Sequence, residues 1–171
     1  MENTQLLLAE FAPVAPALCT SQWLNSEKVI TLDQFRGRVA LIHAFQMLCP
    51  GCVMTSMPQA VRIWQHYRSS DAGSPLVVLG LHTVFEHHAV MTPAALAVYL
   101  YEFRIPFPVA VDAAGTEGLI PQTMSVYGMQ GTPSTLLIDG AGRLRKTHFG
   151  VESDVQVIAD IDALIGELST E

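Results

Sequence analysis

Cysteine is scarce in this chain of 171 residues: there are three, Cys19, Cys49 and Cys52. So few exclude the disulfide framework of a small secreted scaffold. Charge is also scarce, at 15% of residues, and no block of one sign forms a tail. The net charge of −7 argues against nucleic acid and against anionic membrane surfaces as partners. No apolar run is long enough to span a bilayer, since the longest are strand-length and broken by His, Gln or Gly. A Gly-rich dinucleotide fingerprint is missing, so electrons for any redox chemistry must come from a partner. The first residues lack a positively charged n-region, and Glu10 interrupts the short apolar stretch 6–9, so no signal peptide is read. The chain therefore reads as cytoplasmic, where a dithiol is held mostly reduced, with an export signal trimmed before Met1 as the alternative.

What remains is rich in apolar residues, half of the chain, enough for one domain over residues 1–171 with a substantial core. Its centre is an apolar run, Val39 to Phe45, then Cys49-Pro50-Gly51-Cys52, then a helical pattern with Val53, Met57, Val61 and Trp64 on one stripe. This reads as a buried strand, a tight corner, and a helix kinked at Pro58. Unpaired N–H groups and a partial positive charge at the start of that helix favour a thiolate. Cys49 is accordingly expected to ionise below an ordinary thiol and attack disulfides. Cys52, one turn deeper, is placed to displace the substrate thiol. Pro50 suits a helix start because it has no N–H to leave unpaired. Two alternatives are an inert buried pair and half of a zinc site. The latter needs a second ligand pair, and only Cys19 remains. Cys19 itself reads as a small buried residue, with a redox role as the alternative.

The rest of the chain alternates. Residues 1–18 form an arm with Pro13 and Pro16. Trp23 and the run Val29-Ile30-Thr31-Leu32 suggest an N-terminal hairpin. Asp71-Ala72-Gly73-Ser74-Pro75 is a turn, and residues 76–84 are a second buried strand. Thr92 caps a helix with Pro93 at its first position and Leu96, Tyr99, Leu100 and Phe103 inward. A third strand follows to Asp112, and a short helix from Pro121 is stopped by Gly128. Ser134 to Asp139 and Arg143 to Gly150 form a hairpin about Gly140-Ala141-Gly142, the second arm an exposed, cationic edge. Ile158, Ile161, Leu164, Ile165 and Leu168 stripe the last helix, capped by Asp154 or Ser153. The pattern is α/β with a mainly parallel central sheet flanked by helices, an antiparallel C-terminal hairpin and an N-terminal hairpin extension. His82, His87 and His88 have no spacing that brings them to one point, so no metal site is read, and no cofactor is implied.

Cys49-Pro50-Gly51-Cys52 after a strand, with Gly131-Thr132-Pro133-Ser134 opening a hairpin much later, resembles the thioredoxin superfamily. The long gap between the motifs, with an extra helix-strand unit at 92–112, resembles its TlpA-like and redoxin branch. So does the order Trp23, Ile30-Thr31-Leu32, Phe35-Arg36-Gly37. The resemblance implies a cis Thr132–Pro133 bond facing the cysteines and a redox disulfide Cys49–Cys52. It also implies substrate contacts from Thr132, Pro133, Pro50 and Gly51. Where thioredoxins carry a buried acid, six residues before the first cysteine, this chain has His43, the candidate for moving the proton of Cys52. Leu48 stands where many members have Trp, and the helix lacks the Glu of TlpA-like reductases.

The implied activity is thiol–disulfide oxidoreduction, reducing protein disulfides through Cys49 and Cys52. Partners would be a disulfide-containing protein or small molecule, with thioredoxin reductase or glutathione as external reductant. The chain would act as a monomer or weak dimer. A thiol peroxidase of the redoxin type is the second reading, weakened by Gln46 where peroxiredoxins have Thr. A non-enzymatic redox sensor or binding module is the third.

Overall fold

The computed structural model describes residues 5–68 and 73–168; Asp71 and Ala72 of the expected turn lie outside the described residues. Six strands make one sheet in the order β1-β4-β3-β2-β5-β6. They are β1 (Thr20–Leu24), β2 (Val39–Phe45), β3 (Leu76–His82), β4 (Val109–Asp112), β5 (Ser134–Ile138) and β6 (Leu144–Phe149). Strands β2, β3 and β4 are parallel; β1, β5 and β6 run antiparallel to their neighbours. Four helices flank the sheet: α1 (Met57–Tyr67), α2 (Pro93–Glu102), α3 (Gln122–Val126) and α4 (Asp154–Glu167).

Every residue of β2 is buried, because it lies inside the sheet and is covered on both faces. Val39, Leu41 and Phe45 enter the core shared with α1, α2 and α4, while Ala40, Ile42 and Ala44 enter the opposite core with Met124 and Tyr127. Gly80 lies opposite His43 in the parallel pairing. A methyl group there would stand 2.9 Å from Val109 Cγ2 and 3.3 Å from Phe45 Cε1. The missing side chain is therefore space that Val109 and the Phe45 ring use.

The α/β reading holds, as a mixed sheet in which two of the five strand pairings are parallel where a mainly parallel one was expected, and three further corrections follow. First, no N-terminal hairpin forms. Strand β1 pairs with β4, Trp23 facing Ala110. Asn25 turns the chain with φ 55° and donates to the Ile105 carbonyl at 2.8 Å. The apolar residues after it do not make a strand; Leu32–Phe35 is a 3₁₀ turn, and Ile30, Leu32 and Phe35 pack into the second core.

Second, the stripe of α1 is displaced. The chain from Cys52 to Ser56 is a π-helical turn, its wider ring closed by the Met57 N–H on the Cys52 carbonyl. The Ser56 hydroxyl adds a 3.4 Å bond to the same carbonyl. Pro58, which lacks an N–H, sits just beyond, and the wide turn accommodates it. One extra residue per turn rotates the helix, so Met57, Ala60 and Ile63 are buried, with Val61 and Trp64 only partly covered.

Third, the edge strand β6 is not an exposed cationic ribbon. Arg145 and Lys146 are 2% exposed. Arg145 pairs with Asp139 and Glu167, and Lys146 with Glu152 at 2.5 Å and Asp160 at 2.6 Å. The N-terminal arm covers the strand's free edge through Leu7 N–H to the Arg145 carbonyl at 2.8 Å and Leu144 N–H to the Pro13 carbonyl at 2.8 Å.

Gly80→Ala should destabilise the protein by about 1–3 kcal/mol through overpacking against Phe45 and Val109. Urea denaturation of the variant measures it; an unchanged midpoint would refute the packing argument.

Candidate active site

The corner after β2 is pinned from below. Gln46 is buried, its Oε1 accepting the Phe85 N–H at 3.3 Å and its Nε2 donating to Glu86 at 3.4 Å. The Met47 N–H donates to His82 Nε2 at 3.3 Å. Cys49 N–H then bonds the Gln46 carbonyl at 3.1 Å, which turns the chain upward. Leu48 is exposed, Cys49 is half-buried, and Cys52 is fully buried.

The two sulfur atoms therefore occupy different environments. The Cys52 N–H points at Cys49 Sγ, 3.3 Å away, a donor where negative charge on that sulfur would develop. Burial first, and then the adjoining Cys49 thiol, push the Cys52 thiol up to about 12. Phe45, Met57 and Tyr99 share the core around it. The Tyr99 hydroxyl is buried without a hydrogen-bond partner, and burial together with the charge of Cys52 raises it to about 12. Nothing in the sequence marked this tyrosine as more than an inward residue of α2; only the packing of α2 places it by the cysteine.

Opposite the cysteine turn stands the loop before β5. The Thr132–Pro133 peptide bond is cis. Cys49 Sγ lies 3.6 Å from the Thr132 carbonyl oxygen. A Cβ on Gly51 would lie 3.6 Å from Pro133 Cδ. Pro133 is held in turn, its carbonyl accepting the Gly150 N–H at 2.8 Å. Cys49, Gly51, Thr132 and Pro133 thus meet at one place, and Pro50 is exposed in the same turn.

His43 is placed differently. Its ring is stacked on the Phe45 ring at 6.2 Å between centroids, and its Nε2 is buried without a partner. Burial lowers it to about 4. Among the described residues no hydrogen bond joins it to either cysteine. A proton moving from a thiol near 12 to an imidazole near 4 goes steeply uphill, so His43 is a poor resting acceptor for Cys52. His82 is likewise lowered to about 4 by burial. His87 and His88 are exposed, and among the described residues no three His, Cys, Asp or Glu are grouped to hold a metal ion. Cys19 adjoins β1, three strands from β2. That is roughly 14 Å at ordinary strand spacing, beyond disulfide reach of Cys49.

Comparison with solved structures decides the family. A thioredoxin-like superfamily protein is 51% identical, superposes with a TM-score of 0.83, and is matched over 91% of this chain and 97% of its own. The chain belongs to the thioredoxin-like superfamily. A thiol-disulfide isomerase from Corynebacterium glutamicum is 42% identical, with a TM-score of 0.83 and coverage of 91% of this chain and 97% of that one. StoA from Bacillus subtilis, 16% identical over 86% of this chain and 97% of its own with a TM-score of 0.64, shares the fold. No family model and no curated protein matches the sequence. As a thioredoxin-like protein the chain is a thiol–disulfide oxidoreductase, and the Cys49–Cys52 corner is where its geometry puts two thiols within reach of each other.

Two measurements test the site. Iodoacetamide at neutral pH should label Cys49 and spare Cys52, whose thiolate should emerge only as pH nears 12; equal labelling would contradict the burial asymmetry. The histidines give the second. Their ordinary value near 6.5 belongs to the unfolded chain, and the folded chain holds both near 4. Between these values the unfolded state binds protons that the folded state refuses, so stability falls as pH falls from about 6.5 to 4. Each can contribute up to roughly 3 kcal/mol. Urea midpoints over that range should show the decline, and His43→Val should remove about half of it, leaving the share of His82.

Proposed function

We propose that this protein reduces disulfides in polypeptide substrates, with Cys49 as the attacking sulfur and Cys52 as the resolving one. The observation that carries this reading is the difference in water access between the two: Cys49 half-exposed beside the Thr132 carbonyl, Cys52 dry. In the first step the Cys49 thiolate attacks one sulfur of the substrate, forming a mixed disulfide and expelling the other sulfur as a thiolate. In the second, the Cys52 sulfur attacks Cys49 Sγ. The Cys49–Cys52 bond forms, the mixed disulfide breaks, and the Cys52 proton passes to the departing substrate sulfur. Two electrons leave the protein dithiol and two thiols appear on the substrate.

That proton route needs no basic side chain under the pair, which agrees with a His43 held near 4. The reducing direction is supported by the surroundings of Cys52. Its apolar setting makes a resting thiolate expensive, so the reduced form gains little from ionisation of that sulfur and gives up electrons readily. Thr132 and Pro133 form the wall along which an extended substrate segment would lie, with Pro50 and Gly51 as its other side. A thioredoxin reductase, or two molecules of the monothiol glutathione leaving as their disulfide, would supply the two electrons that regenerate the pair.

Insulin reduction followed by turbidity tests the reading. The wild type should act, Cys49→Ser should lose activity at least 100-fold, and Cys52→Ser should accumulate a mixed disulfide with its partner on Cys49. Equal rates for wild type and Cys49→Ser would sink it. Rapid oxidation of Cys49 by peroxide, well above the rate of a free thiol, would point to peroxidase activity instead.

A further inference from the structure

Beside the cysteine corner, the loops following β3 and β4 enclose a cleft of about 360 Å³. That volume suits a single large side chain or a small ligand. His82, Val84, Met91, Val111, Leu119 and Pro121 are among its walls. Strands β3 and β4 run parallel to β2, so their ends open on the side where Cys49 lies. The cleft is one to two strand spacings from the end of β2, roughly 5–10 Å. An extended chain advances about 3.3 Å per residue, so a residue two or three places from a cysteine bound at Cys49 reaches it.

The chemistry of the walls selects the occupant. Most are apolar, and Val90, Leu119 and Ile120 remain exposed on the neighbouring loops, as does Leu48 next to Cys49. Asp112 is on the wall, yet its carboxylate is already taken up by the Thr83 hydroxyl and the N–H groups of Thr123 and Met124. It is not free to pair with a cation, and its charge disfavours an anion. His82 is 1% exposed, and its Nε2 is used by the Met47 N–H. The neutral ring therefore carries its proton on Nδ1, which is buried and has no acceptor. A buried donor left unpaired calls for an explanation. That nitrogen lies inside the wall, out of reach of solvent, so the side of the cleft nearest Cys49 offers no hydrogen bond to a polar occupant.

We propose that this cleft is a specificity subsite that takes an uncharged apolar residue of the polypeptide substrate, two or three positions from the cysteine under attack. The proposal rests on the reductase reading above. Its test uses two synthetic disulfide peptides that differ only in having Leu or Glu at that position, with bis(2-hydroxyethyl) disulfide as a substrate too small to reach the cleft. Wild type should favour the Leu peptide about 10-fold or more in kcat/KM. Leu119→Glu on the rim and Ala114→Phe, which fills the cleft, should each lower kcat/KM for the Leu peptide at least 5-fold more than for the small disulfide. In the Cys52→Ser protein, a trapped mixed disulfide with the Leu peptide should shift the methyl resonance of Met91 on the cleft wall, and the Glu peptide should not. Reduction of the small disulfide with no preference between the peptides, or a preference that survives both substitutions, overturns the subsite alone. Failure of the wild type on every disulfide overturns the reductase reading and the subsite with it.

Discussion

Two sulfur atoms separated by two residues can do directional chemistry only if water reaches one and not the other. Everything near the corner serves that difference. Strand β2 is buried on both faces, so whatever follows it must climb out of the core within a few residues. The bonds from Met47 to His82 and from Cys49 to Gln46 set where the climb occurs. Cys49 emerges beside Thr132, and the next turn carries Cys52 back down against Phe45 and Tyr99. The high value of the Cys52 thiol is the energetic expression of that path.

The packing beneath depends on one ring. Phe45 touches the imidazoles of His43 and His82 and the phenol of Tyr99, with centroids 5.3 to 6.2 Å apart. Gly80 leaves it room. Polar aromatic groups are thereby held dry near the cysteines, with His43 Nε2, His82 Nδ1 and the Tyr99 hydroxyl all unpaired. Such groups cost stability, on the order of 1–3 kcal/mol each. On the edge strand, by contrast, the buried charges of Arg145 and Lys146 are each paired with two carboxylates.

The π-helical turn shows how a local conflict is absorbed. Pro58, six positions after Cys52, would break the hydrogen-bond ladder of a regular helix begun at the corner. Widening the ring at Cys52–Ser56 removes the conflict and lets Ser56 cover a carbonyl. The consequence reaches along α1, where Ala60 and Ile63 replace Val61 and Trp64 as buried residues. Periodicity at 3.6 residues finds the helix and misplaces its face for this reason alone.

From the sequence by itself came the alternation of strands and helices, the cysteine corner, the Gly131-Thr132-Pro133 loop and the cap at Thr92, whose bond to Ala95 the structure shows; of the two candidates at the last helix, Asp154 and Ser153, the structure selects Ser153 through its bond to Gln156. These are features of short range, written in hydrophobic period and in residues with one conformational use. Tertiary structure decided the partner of β1, because the apolar run 29–32 serves a core contact as well as it would serve a strand. It also decided the burial of Arg145 and Lys146, whose carboxylate partners lie on other elements and leave no mark in the strand. That His43 makes no hydrogen bond to either cysteine was likewise not written in the strand: position along it names a face of the sheet, and only packed side chains determine which groups on that face touch.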